Sequence, residues 1–148
     1  MRKVTSWISA FRLRTLPLSL SSILMGSIIA YSQGKFTLSI AVLAITTTVF
    51  LQVLSNLAND YGDSKKGTDN DNRVGPKRAV QSGAISLREM KNGIIISSIL
   101  SLLSGIALIY IGLKDYNLAY IVSFFGLGIA SIAAAIKYTI GKNPYGYA

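Results

Sequence analysis

Four apolar stretches without one charged side chain decide what this chain can fold into. They read "LPLSLSSILMGSIIAYSQ" at 16–33, "FTLSIAVLAITTTVFLQVLSNL" at 36–57, "GIIISSILSLLSGIALIYIGL" at 93–113 and "LAYIVSFFGLGIASIAAAI" at 118–136. Each approaches or exceeds the roughly 20 residues that carry a helix across a bilayer. Helices buried inside a water-soluble protein keep a polar face at helical period, and four uncharged runs do not show one. Composition agrees: 14% of the residues are charged, against about 25% in a typical soluble domain. The sequence predicts an all-α membrane protein with transmembrane helices at about 16–33, 36–58, 93–113 and 117–138.

Charge between the runs predicts orientation. Arg2, Lys3, Arg12 and Arg14 precede the first run, and Lys65, Lys66, Arg73, Lys77, Arg78, Arg88 and Lys91 lie between the second and third. Lys137 and Lys142 follow the fourth, while the opposite side holds only Lys35 and Lys114. Thirteen basic residues against two put both termini and the long loop, about 60–92, in the cytoplasm by the positive-inside bias. The net charge of +9 is then mostly topological, and no nucleic-acid partner is needed to explain it. The basic start with Trp7 and Phe11 resembles an amphipathic interfacial helix more than the n-region of a signal peptide. Ser86 with Glu89 three residues on forms a capping box that predicts a helix start inside the loop.

The polar connection "NLANDYGDSKKGTDNDNRVGPKRAVQSG" at 56–83 holds four of the six acidic residues of the chain, mixed with five basic ones. With no His and no Cys, any metal bound here is a hard, oxygen-liganded one, Mg²⁺ or Ca²⁺ rather than Zn²⁺. Gln52, Asn56, Asp60 and Asp63 follow at i, i+4, i+8 and i+11 and fall on one face if the second helix continues past the lipid boundary. Asn56, Asp60 and Asp63 supply oxygens of the kind Mg²⁺ accepts, and Arg73, Lys77 and Arg78 are cations suited to phosphate oxygens. Acid, metal and base together read as a diphosphate site at the membrane surface. The plainer alternative is a solvated connector, since "GTDNDN" and "VGP" carry turn chemistry. An EF-hand fits poorly: a loop starting at Asp69 puts Val74 at the glycine position and Val80 at the glutamate position. Near the end of the chain, Tyr138 and Lys142 share a helix face if the fourth helix continues, though Lys137 and Lys142 also serve as interfacial anchors.

These residues resemble a known family. "NLANDYGDSKKGTDNDNRVGPKRAVQSGAIS" looks like the first aspartate-rich motif of the UbiA-type intramembrane prenyltransferases, in particular the branch that prenylates 1,4-dihydroxy-2-naphthoate for menaquinone synthesis. "RLRTLPLS" at 12–19 and "YTIGKNPYGY" at 138–147, with the Tyr-x-x-x-Lys pattern, agree with that branch. The resemblance implies a bundle of about nine helices, of which residues 1–148 are the N-terminal part of a single domain. The C-terminal half, with its second aspartate-rich loop, would be a missing partner, and this chain alone would be inactive. It also implies a polyprenyl diphosphate donor, Mg²⁺ on Asn56, Asp60 and Asp63, and diphosphate contacts from Arg73, Lys77, Arg78 and Lys142. Asp60, Asp63, Tyr138 and Lys142 would be the catalytic set, and Arg14 a candidate for the acceptor carboxylate. The setting would be the inner, cytoplasmic membrane. Another aromatic acceptor, such as 4-hydroxybenzoate, stays open, as does a non-catalytic membrane subunit whose acidic stripe holds a cation structurally.

Overall fold

A computed structural model describes residues 2–68 and 77–147; Arg73 and the turn-rich "DNDNRVGP" lie outside the described residues. Among the described residues, five α-helices follow one another: α1 Arg2–Phe11, α2 Leu16–Ser32, α3 Leu38–Lys66, α4 Leu87–Leu113 and α5 Leu118–Lys137. Single 3-10 turns occur at Leu13–Thr15 and Tyr145–Tyr147, and no strand occurs among the described residues. Four segments are long and apolar enough to cross a membrane: 3–32 taken through the elbow after α1, then α3, α4 and α5. The chain is a multi-pass membrane protein.

Two boundaries differ from the sequence expectation, both because a helix does not stop where the lipid does. The second transmembrane helix runs to Lys66 rather than about 58, and the third begins at Leu87 rather than about 93. Residues 60–66 and 87–92 of the loop expected over 60–92 are therefore helical. α3 persists because Lys65 and Lys66 occupy its last turn, where cations complement the helix dipole. It stops where Gly67 takes a left-handed conformation (φ 71°), with its N–H bonded to the Asp63 carbonyl. α4 starts where the sequence predicts a cap. Ser86 accepts from the Glu89 N–H, and the Glu89 carboxylate accepts from the Ser86 N–H at 2.9 Å. Lys3 of α1 adds an ion pair to Glu89. Replacing Ser86 with alanine is expected to cost about 1 kcal/mol, seen as faster hydrogen exchange in the first turn of α4; unchanged exchange there would refute a working cap.

α3 touches every other helix and packs most extensively on α4. The buried core is gathered at one end of the bundle: Val53, Leu54, Leu57 and Ala58 of α3, Met90 and Ile94 of α4, Ala10 of α1, and Ala79 and Ile85 of the connection. α2 and α5 bury no residue. Apolar helix faces gain nothing by leaving lipid for protein, so a small core at the polar end suffices to fix the helices there. Three glycines admit close neighbours, Gly146 against Tyr138 being the third. A Cβ on Gly62 would lie 2.5 Å from Thr139 Cβ and 2.6 Å from its carbonyl oxygen, and one on Gly93 would lie 2.9 Å from the Trp7 ring.

Candidate functional site

The polar stripe of α3 exists as the spacing predicts, and the N-terminal segment lies along it. Ser19 donates to Gln52 Oε1 at 2.5 Å, and Gln52 Nε2 donates to Thr15 Oγ1 at 3.3 Å. One turn on, Asn56 is buried and its Nδ2 donates to the Phe11 carbonyl at 2.9 Å. One further turn on, Asp60 is 2% exposed and its Oδ1 accepts from both Arg12 and Arg78. Asp63 accepts from the Tyr147 hydroxyl, and its Oδ2 lies 3.6 Å from Arg78 Nη2. Half of the stripe therefore docks the chain entering α2, and the other half gathers charge.

Arg12 is the site residue that sequence reasoning missed. It stands 48 residues before Asp60 and reads as one more topological cation. Its backbone makes the elbow between α1 and the following turn, at φ 50° and ψ 50°. That left-handed conformation costs a non-glycine residue about 1–2 kcal/mol. The elbow is held by Thr15, whose hydroxyl and N–H both donate to the Arg12 carbonyl at 2.9 Å. The only hint in the sequence is "RLRTLP", where Pro17 opens α2 and so ends whatever helix precedes it.

A cavity of about 360 Å³ opens beside Asp60, and Arg12, Arg14, Lys77 and Arg78 all line it. Four cations around one carboxylate make a site for an anion, and Ile8 and Leu13 give it an apolar wall. The structure thus brings Asp60, Lys77, Arg78 and Arg14 together, as the sequence expectation needs.

Lys142 and Tyr138 are placed elsewhere. The fourth transmembrane helix does not carry them on one face, because α5 ends at Lys137 and Tyr138 is its C-cap. The chain then turns through Gly141, at φ 120°, a conformation open to glycine and rarely to others. Lys142 lines a second cavity with Lys65, Lys66 and Thr139, which shares no lining residue with the first. The Tyr138 ring stacks edge-on against Tyr145 at 5.3 Å between centroids.

The donors near Asp60 suit a hard divalent cation in type: two carboxylates and the Asn56 carbonyl, oxygen atoms only, on one helix face. They are committed in this structure, Asp60 to two guanidiniums and Asp63 to Tyr147. No cluster of three or more His, Cys, Asp or Glu side chains occurs among the described residues.

By its fold the chain is a multi-pass helical membrane protein with carboxylates and guanidiniums gathered at the polar end of its bundle. More narrowly, the chain belongs to the UbiA prenyltransferase family, whose model matches residues 19–147. The 1,4-dihydroxy-2-naphthoate octaprenyltransferase of Escherichia coli is 46% identical over 145 residues, 98% of this chain and 46% of that protein. The protein of the same name from Haemophilus influenzae is 49% identical over 148 residues, covering 98% of this chain and 47% of the relative. That of Mycobacterium tuberculosis is 34% identical over the whole chain and 48% of its own length. The chain spans about half the length of the curated relatives it matches. No solved structure matches it.

Proposed function

We propose that this chain forms the donor-binding half of a Mg²⁺-dependent enzyme of menaquinone synthesis in the inner membrane. The reaction is transfer of a polyprenyl group from polyprenyl diphosphate to 1,4-dihydroxy-2-naphthoate, giving demethylmenaquinol, which becomes demethylmenaquinone on oxidation, with release of diphosphate and CO2. The observation that supports it most is the cavity beside Asp60, cationic and at the polar end of membrane helices, where the head group of a lipid-tailed diphosphate would sit. The relatives named as naphthoate prenyltransferases favour that acceptor over 4-hydroxybenzoate.

Asn56 Oδ1, Asp60 and Asp63 would hold Mg²⁺, which when bound supplies positive charge that favours departure of a diphosphate. Lys77 and Arg78 neutralise the charge that builds on the leaving oxygen as the allylic C–O bond breaks and its electron pair goes to diphosphate. A ring carbon of the acceptor then attacks the allylic cation, and the carboxylate leaves as CO2, its bonding pair returning to the ring and restoring aromaticity. Arg14, at the same cavity, is suited to orient that carboxylate. Arg73, Lys142 and the Tyr138 hydroxyl are further phosphate contacts in this reading on the strength of the family pattern alone, since Lys142 lines the second cavity and Tyr138 lines neither. The half-length chain alone is expected to be inactive.

The test is a chimera of residues 1–148 with the remaining half of the Escherichia coli relative, assayed in membranes for Mg²⁺-dependent prenylation of dihydroxynaphthoate. Turnover by the chimera and none by the chain alone is the expected result. A chimera that assembles in the membrane yet prenylates only a different aromatic acid would reject the naphthoate reading.

A further inference from the structure

Asp60 is nearly inaccessible, and two guanidiniums already share one of its oxygens. If Oδ1 of this carboxylate serves a divalent cation, a form of the proposal above, the three positive groups cannot all remain on that atom. A cation bound about 2 Å from a carboxylate oxygen repels a guanidinium hydrogen-bonded to the same atom. One arginine must leave, and the structure distinguishes them. Arg78 is 15% exposed and has Asp63 within reach at 3.6 Å, so it keeps a carboxylate when Asp60 is taken. Arg12 is 23% exposed, and its ion pair is with Asp60. It also sits at a left-handed elbow, where the backbone gains by relaxing. The cavity it lines gives its guanidinium an anion to meet once released.

We propose that Arg12 is a positioning residue that holds the Asp60 carboxylate until a divalent cation takes that oxygen, and that cation binding releases Arg12, and α1 with it, toward the anion cavity. The N-terminal helix and the cation are thus competitors for one carboxylate. The arrangement has two uses. It spares Asp60 a buried uncompensated charge before a cation arrives, and it delivers a phosphate-binding guanidinium only afterwards.

The chain contains one tryptophan. It is Trp7 on α1, packed against Gly93 of α4, so its fluorescence reports displacement of α1. Mg²⁺ would be titrated into the detergent-solubilised chain while Trp7 emission is followed, and Mn²⁺ affinity measured by electron paramagnetic resonance. Wild type, Arg12→Gln and Arg12→Lys would be compared. Mg²⁺ is expected to shift Trp7 emission in wild type but not in Arg12→Gln, whose cation-free spectrum already resembles the loaded one. Arg12→Gln should bind Mn²⁺ at least about fivefold more tightly, and Arg12→Lys, which keeps the charge, should fall between. If Arg12→Gln loses helicity, the Arg12→Lys affinity decides, with tightening expected and wild-type affinity refuting. Equal Mn²⁺ affinity in all three proteins, or no Mg²⁺ response of Trp7, overturns the competition while leaving the cation site standing. Absence of Mn²⁺ binding by every variant removes the cation reading itself, and this proposal with it.

Discussion

Exchanging Asp60 for asparagine is expected to lower prenyl transfer by the chimera more than about a hundredfold and to destabilise its polar end by about 3 kcal/mol. Both effects come from the same geometry. The side chain is 2% exposed and carries the only formal negative charge offered to Arg12 by the described ion pairs, and it shares Arg78 with Asp63. An amide of the same shape leaves two partly buried cations facing a neutral group. Breaking one side of a buried pair is usually more damaging than the pair is stabilising. Partial solvent access to both arginines keeps the loss at the low end of that range. Asp63→Asn should be milder in stability, since the Tyr147 hydroxyl can still donate to the remaining amide oxygen, but equally severe in turnover. Wild-type turnover by both variants would sink the assignment of these carboxylates, and the denaturation midpoint separates lost chemistry from lost folding.

Gly62→Val should be the most damaging change outside the charged cluster, at about 3 kcal/mol or more. The added Cβ would overlap not a flexible tip but Thr139 Cβ and the Thr139 backbone carbonyl, at 2.5 and 2.6 Å. Overpacking a close contact typically costs about 1–3 kcal/mol when neighbours can shift. Here they cannot shift cheaply, because the Thr139 hydroxyl donates to the Ala58 carbonyl at 2.9 Å and to Asn59 Oδ1 at 3.3 Å. Valine must part the C-terminal end of α5 from α3, breaking those bonds inside a buried contact. Gly62→Ala should show a smaller loss of the same kind. The check is a comparison of unfolding midpoints with Gly126→Ala, where a Cβ meets nothing within 4 Å. A Gly62→Val protein as stable as Gly126→Ala would mean the two helices do not meet this closely.

Sequence reasoning reached the features that are local or periodic. The stripe of Gln52, Asn56, Asp60 and Asp63 follows from helical spacing alone, and the start of α4 follows from Ser86 and Glu89, because a capping box is a short-range motif. Arg12 was legible only as charge. Its role depends on an elbow whose left-handed residue carries no compositional mark, and on a partner 48 positions away. Tyr147 against Asp63 is likewise a contact across 84 positions. The shared face of Tyr138 and Lys142 was a reasonable extension of α5, undone by one glycine at position 141. Gly62 carries its own sign in the sequence: a glycine inside a long helix either weakens it or marks where another backbone comes close.

The lopsided core has a mechanical consequence. A bilayer thicker or thinner than the apolar length of these helices forces them to tilt, at a fraction of a kcal/mol per Å of mismatch. Within this half-length chain, α2 and α5, which bury nothing, can lean without disturbing the core described above. The clasp around Leu54, Leu57, Ile85 and Met90 acts as a pivot, so the distant ends of the helices swing most and the Asp60 cluster least. Lipid composition can then vary while the charged end keeps its shape, much as the legs of a pair of compasses open about a fixed joint.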